Sequence, residues 1–173
     1  MGQFGIGQGV RRVEDPRLLT GTGRYTDDIQ APGEARAYFV RAPYAHARVV
    51  SIDTEGAHSV PGVLAVYTSK DVKAAGLGTI RCLIPLKQTD GKPLVTPPRL
   101  LLADGAVRHV GEAVAMVVAE NIDTARDAAE RVEVDYHELP AIVDTAAAGA
   151  VDAPQVWPQA PGNVCFRWEK GDR

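Results

Sequence analysis

The chain has 173 residues, 45% of them hydrophobic and 24% charged, with a formal net charge of -3 at pH 7. That is the balance of an ordinary globular protein with room for a real core. It lacks the basic footprint by which a protein neutralises phosphates, so nucleic acid is excluded as the expected partner.

No apolar run approaches the roughly 20 residues that cross a bilayer, and the stretch before Val13 lacks an apolar signal core, so a cytoplasmic location is the expectation. Cys82 and Cys165 stand far apart without a C-x-x-C partner. They cannot supply a zinc knuckle or an iron-sulfur cluster from this chain alone. Two buried thiols are expected, with a disulfide as the lesser alternative.

In chain order, Gly2, Gly5, Gly7 and Gly9 predict a flexible start, and their spacing is not that of a dinucleotide-binding turn. Residues 11–29 carry both signs of charge, a short apolar pair and a glycine turn, with the periodicity of neither helix nor strand. They read as a surface arm or as an arm that docks on another domain or subunit. Strands are predicted over 37–41 and 48–53, a short helix capped by Thr54 over 55–59, and a third strand over 63–68 after the Pro61-Gly62 turn. Ser69 is expected to cap a short helix over 70–75 that Gly76 stops. Residues 77–99 hold Gly78, Pro85, Gly91, Pro93, Pro97 and Pro98, which predicts a long loop with a short extended piece at 80–84. A loop of that length is commonly functional or in contact with a partner. Leu100, Leu101 and Leu102 read as another short strand.

The stretch that organises the chain follows. Residues 113–119 (AVAMVVA) form an uninterrupted apolar run of strand length, which suits a strand covered on both faces. Asn121 and Asp123 can accept hydrogen bonds from a helix start. Ala125, Ala128, Ala129 and Val132 then recur at helical spacing, opposite Arg126, Asp127, Glu130 and Arg131. Val132, Val134 and Tyr136 alternate with Glu133 and Asp135, the period of a strand with one wet face. Strand, helix, strand thus occurs twice, which predicts two related halves. Ala141, Ile142 and Val143 read as a last strand, and Asp144 as the cap of an alanine-rich turn over 145–150. Prolines 154, 158 and 161 predict an extended passage, with Trp157, Phe166 and Trp168 as anchors onto another surface.

Residue chemistry does not make an enzyme of this chain. His46, His58, His109 and His137 are scattered, Ser51, Ser59 and Ser69 sit in no nucleophile elbow, and there is no phosphate-binding loop. Asp27, Asp28, Glu133 and Asp135 read as solvated. Glu112 is either a partly buried functional acid or, more simply, a carboxylate bonding backbone amides at a strand start. No nucleophile, base and oxyanion donors converge.

Several ordered pieces carry a resemblance. They are residues 12–28 (RVEDPRLLTGTGRYTDD), 39–48 (FVRAPYAHAR), Pro61-Gly62-Val63, 107–115 (VRHVGEAVA) and 132–141 (VEVDYHELPA), with Gly162-Asn163 and Gly171-Asp172 near the end. The chain resembles the N-terminal segment of the molybdenum-binding large subunit of the xanthine dehydrogenase and aldehyde oxidase family, which includes carbon monoxide dehydrogenase-like members. The resemblance implies an α+β fold of the α/β hammerhead type, a mixed β-sheet with a few short helices packed on it. It also implies a domain plan: an N-terminal arm over 1–34, the hammerhead over 35–150, and an extended linker over 151–173 towards a molybdopterin-binding domain outside this chain.

In that family the molybdenum-pterin cofactor and its glutamate base lie in later domains. The [2Fe-2S] centres and FAD are on other subunits or segments. No catalytic, cofactor or metal residue carries over to this chain, which is expected to be inactive alone. The implied partners are the molybdopterin-binding domains of the same large subunit and the iron-sulfur and flavin subunits. Arg12, Glu14, Asp15, Gly111, Glu112, Trp157 and Trp168 are the candidate interface residues. The alternative is a stand-alone, non-catalytic binding or assembly module with the same fold.

Overall fold

The computed structural model describes residues 9, 11–83 and 86–171. Gly2, Gly5 and Gly7, the end of the extended piece at Ile84 and Pro85, and Asp172 lie outside the described residues. The chain forms two units, Met1–Glu34 and Ala35–Arg173.

In the first unit, α1 (Asp15–Leu19) forms one turn where no regular element is predicted. The reason is local: Pro16 sits in its first turn, and the Thr20 hydroxyl donates to the Pro16 carbonyl at 2.7 Å at its end. None of its residues is buried, so periodicity had no face to record. A 3-10 turn, Thr26–Asp28, follows. It is closed by the Tyr25 N–H donating to the Asp28 carboxylate at 2.8 Å, so Asp28 is a brace rather than merely solvated.

The second unit holds β1 (Arg36–Arg41), β2 (Ala47–Asp53), α2 (Glu55–His58), β3 (Val63–Thr68), α3 (Ser69–Ala74), β4 (Ala106–Val107), β5 (Ala113–Ala119), α4 (Ile122–Ala129) and β6 (Glu133–Glu138). The strands make two three-stranded sheets, ordered β1-β5-β3 and β4-β2-β6, with every neighbouring pair antiparallel. The α+β class stands, and the single mixed sheet resolves into two antiparallel ones. Parallel neighbours need a crossover that returns to its own sheet. Here both helical connections leave it: β2-α2-β3 passes from the second sheet to the first, and β5-α4-β6 passes back. The first strand of each strand-helix-strand segment pairs with the last strand of the other, β2 with β6 and β5 with β3, which is the structural form of the two related halves.

β5 is the central strand of its sheet, and Val114, Ala115, Val117 and Ala119 are buried. The Asn121 side chain caps α4, its Oδ1 accepting from the Thr124 N–H at 2.8 Å, while Ala125, Ala128 and Ala129 are buried. Ala128 and Ala129 join Ala57, Val66, Ala115, Val117 and Val132 in one core cluster. Small side chains let the helices approach closely. A Cβ on Gly56 of α2 would stand 2.9 Å from the Arg131 carbonyl beyond the end of α4, so only glycine fits there. A second cluster of Ala42, Ala47, Ala103, Val107 and Val114 is flanked by Tyr44 and Tyr136, whose rings lie 5.1 Å apart. Burial pushes the Tyr136 hydroxyl above its ordinary pKa.

Several expectations are corrected. Leu100 to Leu102 are not a strand. Leu102 is buried, but the backbone bends there and turns at Gly105 (φ +71°), and the short strand is β4. Residues 141–143 are not a strand either, since β6 ends before Pro140 and Val143 is left exposed.

The caps of the two short helices shift by one residue. Thr68, not Ser69, opens α3, through hydrogen bonds from its N–H and hydroxyl to the Asp71 carboxylate at 2.7 and 2.8 Å. At α2 the Thr54 side chain makes no cap bond, and Asp53 accepts from the Glu55 N–H at 2.9 Å instead. Asp144 caps its turn as expected, accepting from the Ala146 N–H at 2.7 Å. Both cysteines are free. Cys82 is exposed and Cys165 half-buried, because the segments carrying them lie outside both core clusters.

Candidate functional site

The site is built around the turn that joins β4 to β5. Gly111 has φ +86°, a conformation that favours glycine, and this lets its N–H donate to the Ala42 carbonyl at 2.8 Å. In return the Ala42 N–H donates to the Glu112 carbonyl at 2.9 Å, and Arg41 Nη1 donates to the Gly111 carbonyl at 2.8 Å. Glu112 braces its own turn: Oε2 accepts from the Arg108 N–H at 2.5 Å and lies 3.6 Å from His109 Nδ1. Of the two readings of Glu112, the backbone-bonding carboxylate is the one observed.

Arg108 ties this turn to residues far along the chain. Its Nη1 donates to the Ala106 carbonyl at 3.0 Å and its Nε to the Val156 carbonyl at 3.2 Å. The guanidinium stands 3.7 Å from the centroid of the Trp157 ring, within cation–π range. Burial lowers the pKa of Arg108, while the charges of Glu112 and Asp104 act the other way. The backbone just before Trp157 is held by Asn163. Asn163 Nδ2 donates to the Ala148 and Pro154 carbonyls at 3.0 and 2.9 Å, and Oδ1 accepts from the Val156 N–H at 2.8 Å. Where an extended passage is expected, the chain between Ala153 and Asn163 is therefore folded into turns, with Ala160 buried.

Two clefts meet here. One, of about 350 Å³, is lined by Arg41, Arg99, Arg108, His109, Glu112 and Trp157, among others. The other, of about 610 Å³, is largely apolar, with Leu86, Leu94, Val95, Pro97 and Phe166 in its wall. Ile80, Pro98, Arg99 and Trp157 line both. The second cleft lies between the 79–99 loop and residues 165–167. These are joined by the Val95 N–H donating to the Cys165 carbonyl at 2.9 Å and the Thr89 N–H donating to the Arg167 carbonyl at 3.0 Å.

Of the seven interface candidates, Gly111, Glu112 and Trp157 come together at this junction. Trp168 is 57% exposed and lines neither cleft. Arg12, Glu14 and Asp15 belong to the first unit, where the Asp15 N–H donates to the Arg12 carbonyl at 3.3 Å and Glu14 pairs with Arg17. Sequence reasoning passed over Arg41, Arg108 and Asn163 as site residues. Arg108 sits inside the VRHVGEAVA run, but its partners Val156 and Trp157 follow only after a long intervening stretch that no local pattern can connect.

Among the described residues no group of three or more His, Cys, Asp or Glu is gathered to hold a metal ion, so they do not fit a metal or cluster as a donor set. The His46 ring is engaged at 2.8 Å with the Pro140 carbonyl. Among the described residues no helix is long and apolar enough to cross a membrane.

Known proteins share this architecture. The family model described as the aldehyde oxidase and xanthine dehydrogenase a/b hammerhead domain matches residues 20–140. A carbon monoxide dehydrogenase large chain from Afipia carboxidovorans is 39% identical over 98% of this chain and 21% of its own length. The nicotine 6-hydroxylase large subunit of Paenarthrobacter nicotinovorans is 43% identical over 80% of this chain and 16% of its own. Among solved structures, CO dehydrogenase from Oligotropha carboxidovorans superposes with a TM-score of 0.70 at 42% identity, covering 87% of this chain and 17% of that one. Aldehyde oxidoreductase from Desulfovibrio gigas gives a TM-score of 0.70 at 36% identity, covering 87% of this chain and 16% of that one. The chain thus spans about a fifth or less of the length of these relatives. With its matched segment, its two crossed strand-helix-strand units and these identities, the chain belongs to the aldehyde oxidase and xanthine dehydrogenase family, as its α/β hammerhead domain.

Proposed function

We propose that this chain is an architectural domain of the molybdopterin-binding large subunit of a molybdenum hydroxylase. The whole enzyme oxidises an aldehyde, an N-heterocycle or carbon monoxide with oxygen derived from water, in the cytoplasm. Residues 1–34 serve as an arm, 35–150 as the hammerhead body, and 151–173 as the passage towards the molybdopterin-binding domains. The molybdenum-pterin cofactor belongs to those domains, and the [2Fe-2S] and FAD groups to other subunits or segments. This chain's share is to present contact surfaces to them: the arm with Arg12, Glu14 and Asp15, the Gly111-Glu112 turn, and the segments carrying Trp157 and Trp168.

The observation that carries this reading is that the same fold forms about a sixth of far longer chains named as dehydrogenases or oxidoreductases, at TM-scores of 0.68 to 0.71. Buried small side chains and braced turns give the domain rigidity, and no metal-holding cluster is gathered among the described residues. The purified chain, offered carbon monoxide, an aldehyde or nicotine with a dye as electron acceptor, is expected to give no turnover and to carry no molybdenum by elemental analysis. Turnover accompanied by stoichiometric molybdenum would overturn the proposal.

A further inference from the structure

The larger cleft combines three features that the architectural role does not require. Its walls are apolar and open: Ile80 is 52% exposed, Leu86 46% and Phe166 51%. Among the described residues its only charged lining residues are Arg81 and Arg99, with no Asp or Glu in the lining. Neither guanidinium has a hydrogen-bond or ion-pair partner among the described residues, although the protein as a whole is acidic. The main-chain groups of Arg81, Cys82 and Thr96 along the cleft also make no main-chain hydrogen bond among the described residues. Exposed apolar walls favour an apolar occupant, lone cations favour a carboxylate, and unpaired N–H and C=O groups favour an extended backbone that can pair with them as an added strand does.

We infer that the cleft walled by Ile80, Leu86, Val95 and Phe166 receives an extended polypeptide segment of large apolar side chains bearing one or two carboxylates, which Arg81 and Arg99 bind. The inference deepens the proposed docking role by naming the chemistry of one contact. Its test reads binding alone, so its failure leaves the activity test untouched. The continuity of this cleft with the one beside Arg108 gives the segment a second cationic wall at the Trp157 end.

A random dodecapeptide display library is panned on the full 173-residue chain, and selected peptides are measured by fluorescence anisotropy. The expected peptides combine several large apolar residues with Asp or Glu. Their affinity falls about fivefold or more in the Arg81→Ala/Arg99→Ala double variant, a loss in keeping with two exposed charge pairs, and falls with added salt. The Arg81→Lys/Arg99→Lys variant retains most of the binding, and matching circular dichroism shows that both variants are folded. Failure to select peptides, selection of peptides without acids, or binding indifferent to the double variant would overturn the inference. Self-association of the chain that disappears in the double variant, or tight binding of decanoate in place of peptides, would also overturn it by assigning the cleft to a second copy or to a small apolar acid.

Discussion

β5 and the 79–99 loop lie in the same unit and are built on opposite terms. β5 is paired on both edges, every one of its side chains is buried or half-buried, and α4 packs against it. The loop keeps its shape through a few main-chain bonds, such as Ile80 N–H to the Arg99 carbonyl at 2.9 Å, and shows Leu83 84% exposed. Hydrophobic burial holds the first, and little within the described residues covers the second. Stability is therefore concentrated at β5 and α4, while the contact role proposed above falls to the loop, the turn at Gly111 and the segment around Trp157.

Substitutions sharpen the contrast. Val117→Ala removes two fully buried methyl groups and is expected to cost about 2–3 kcal/mol in urea unfolding. Gly56→Ala puts a methyl group against the Arg131 carbonyl and is expected to cost about 1–3 kcal/mol, as overpacked sites do. Asn121→Ala deletes the cap of α4 and is expected to cost about 1 kcal/mol by the same measurement. Leu83→Ser, on the exposed loop, is expected to change stability by less than about 0.5 kcal/mol. If Leu83→Ser proved as damaging as Val117→Ala, the distinction between core and loop would fail.

A pH series adds a smaller effect. The hydrogen bonds from Thr68 hold the Asp71 carboxyl below its ordinary value of 3.8. A depressed folded-state pKa stabilises the native state above the unfolded value and loses that contribution as pH falls through the folded value. The urea midpoint of the parent should therefore exceed that of Asp71→Asn near neutrality and converge on it below pH 3.8. A gap that widened on acidification would contradict the bonding seen at Thr68.

The sequence made the core legible because its signals are local. Seven consecutive apolar residues mark β5, Asn121 marks the start of α4, and the spacing of Ala125, Ala128 and Ala129 marks its inner face. What escaped depends on distance along the chain. The assignment of β2 and β3 to different sheets depends on pairing with β6 and β5, which no window around either strand contains. Leu100 to Leu102 satisfied the composition of a strand, but burial of Leu102 alone does not pair a backbone. The junction around Arg108 was half visible: Gly111, Glu112 and Trp157 stood out, whereas Arg108, which joins them, was only one residue of the VRHVGEAVA run.

Amide hydrogen exchange on the isolated chain tests the division between core and contact surface most directly. The amides of residues 114–119 should exchange only through global unfolding, whereas those of Arg81, Cys82 and Thr96 should exchange orders of magnitude faster. Protection of the loop equal to that of β5 would show it to be part of the core and contradict the account.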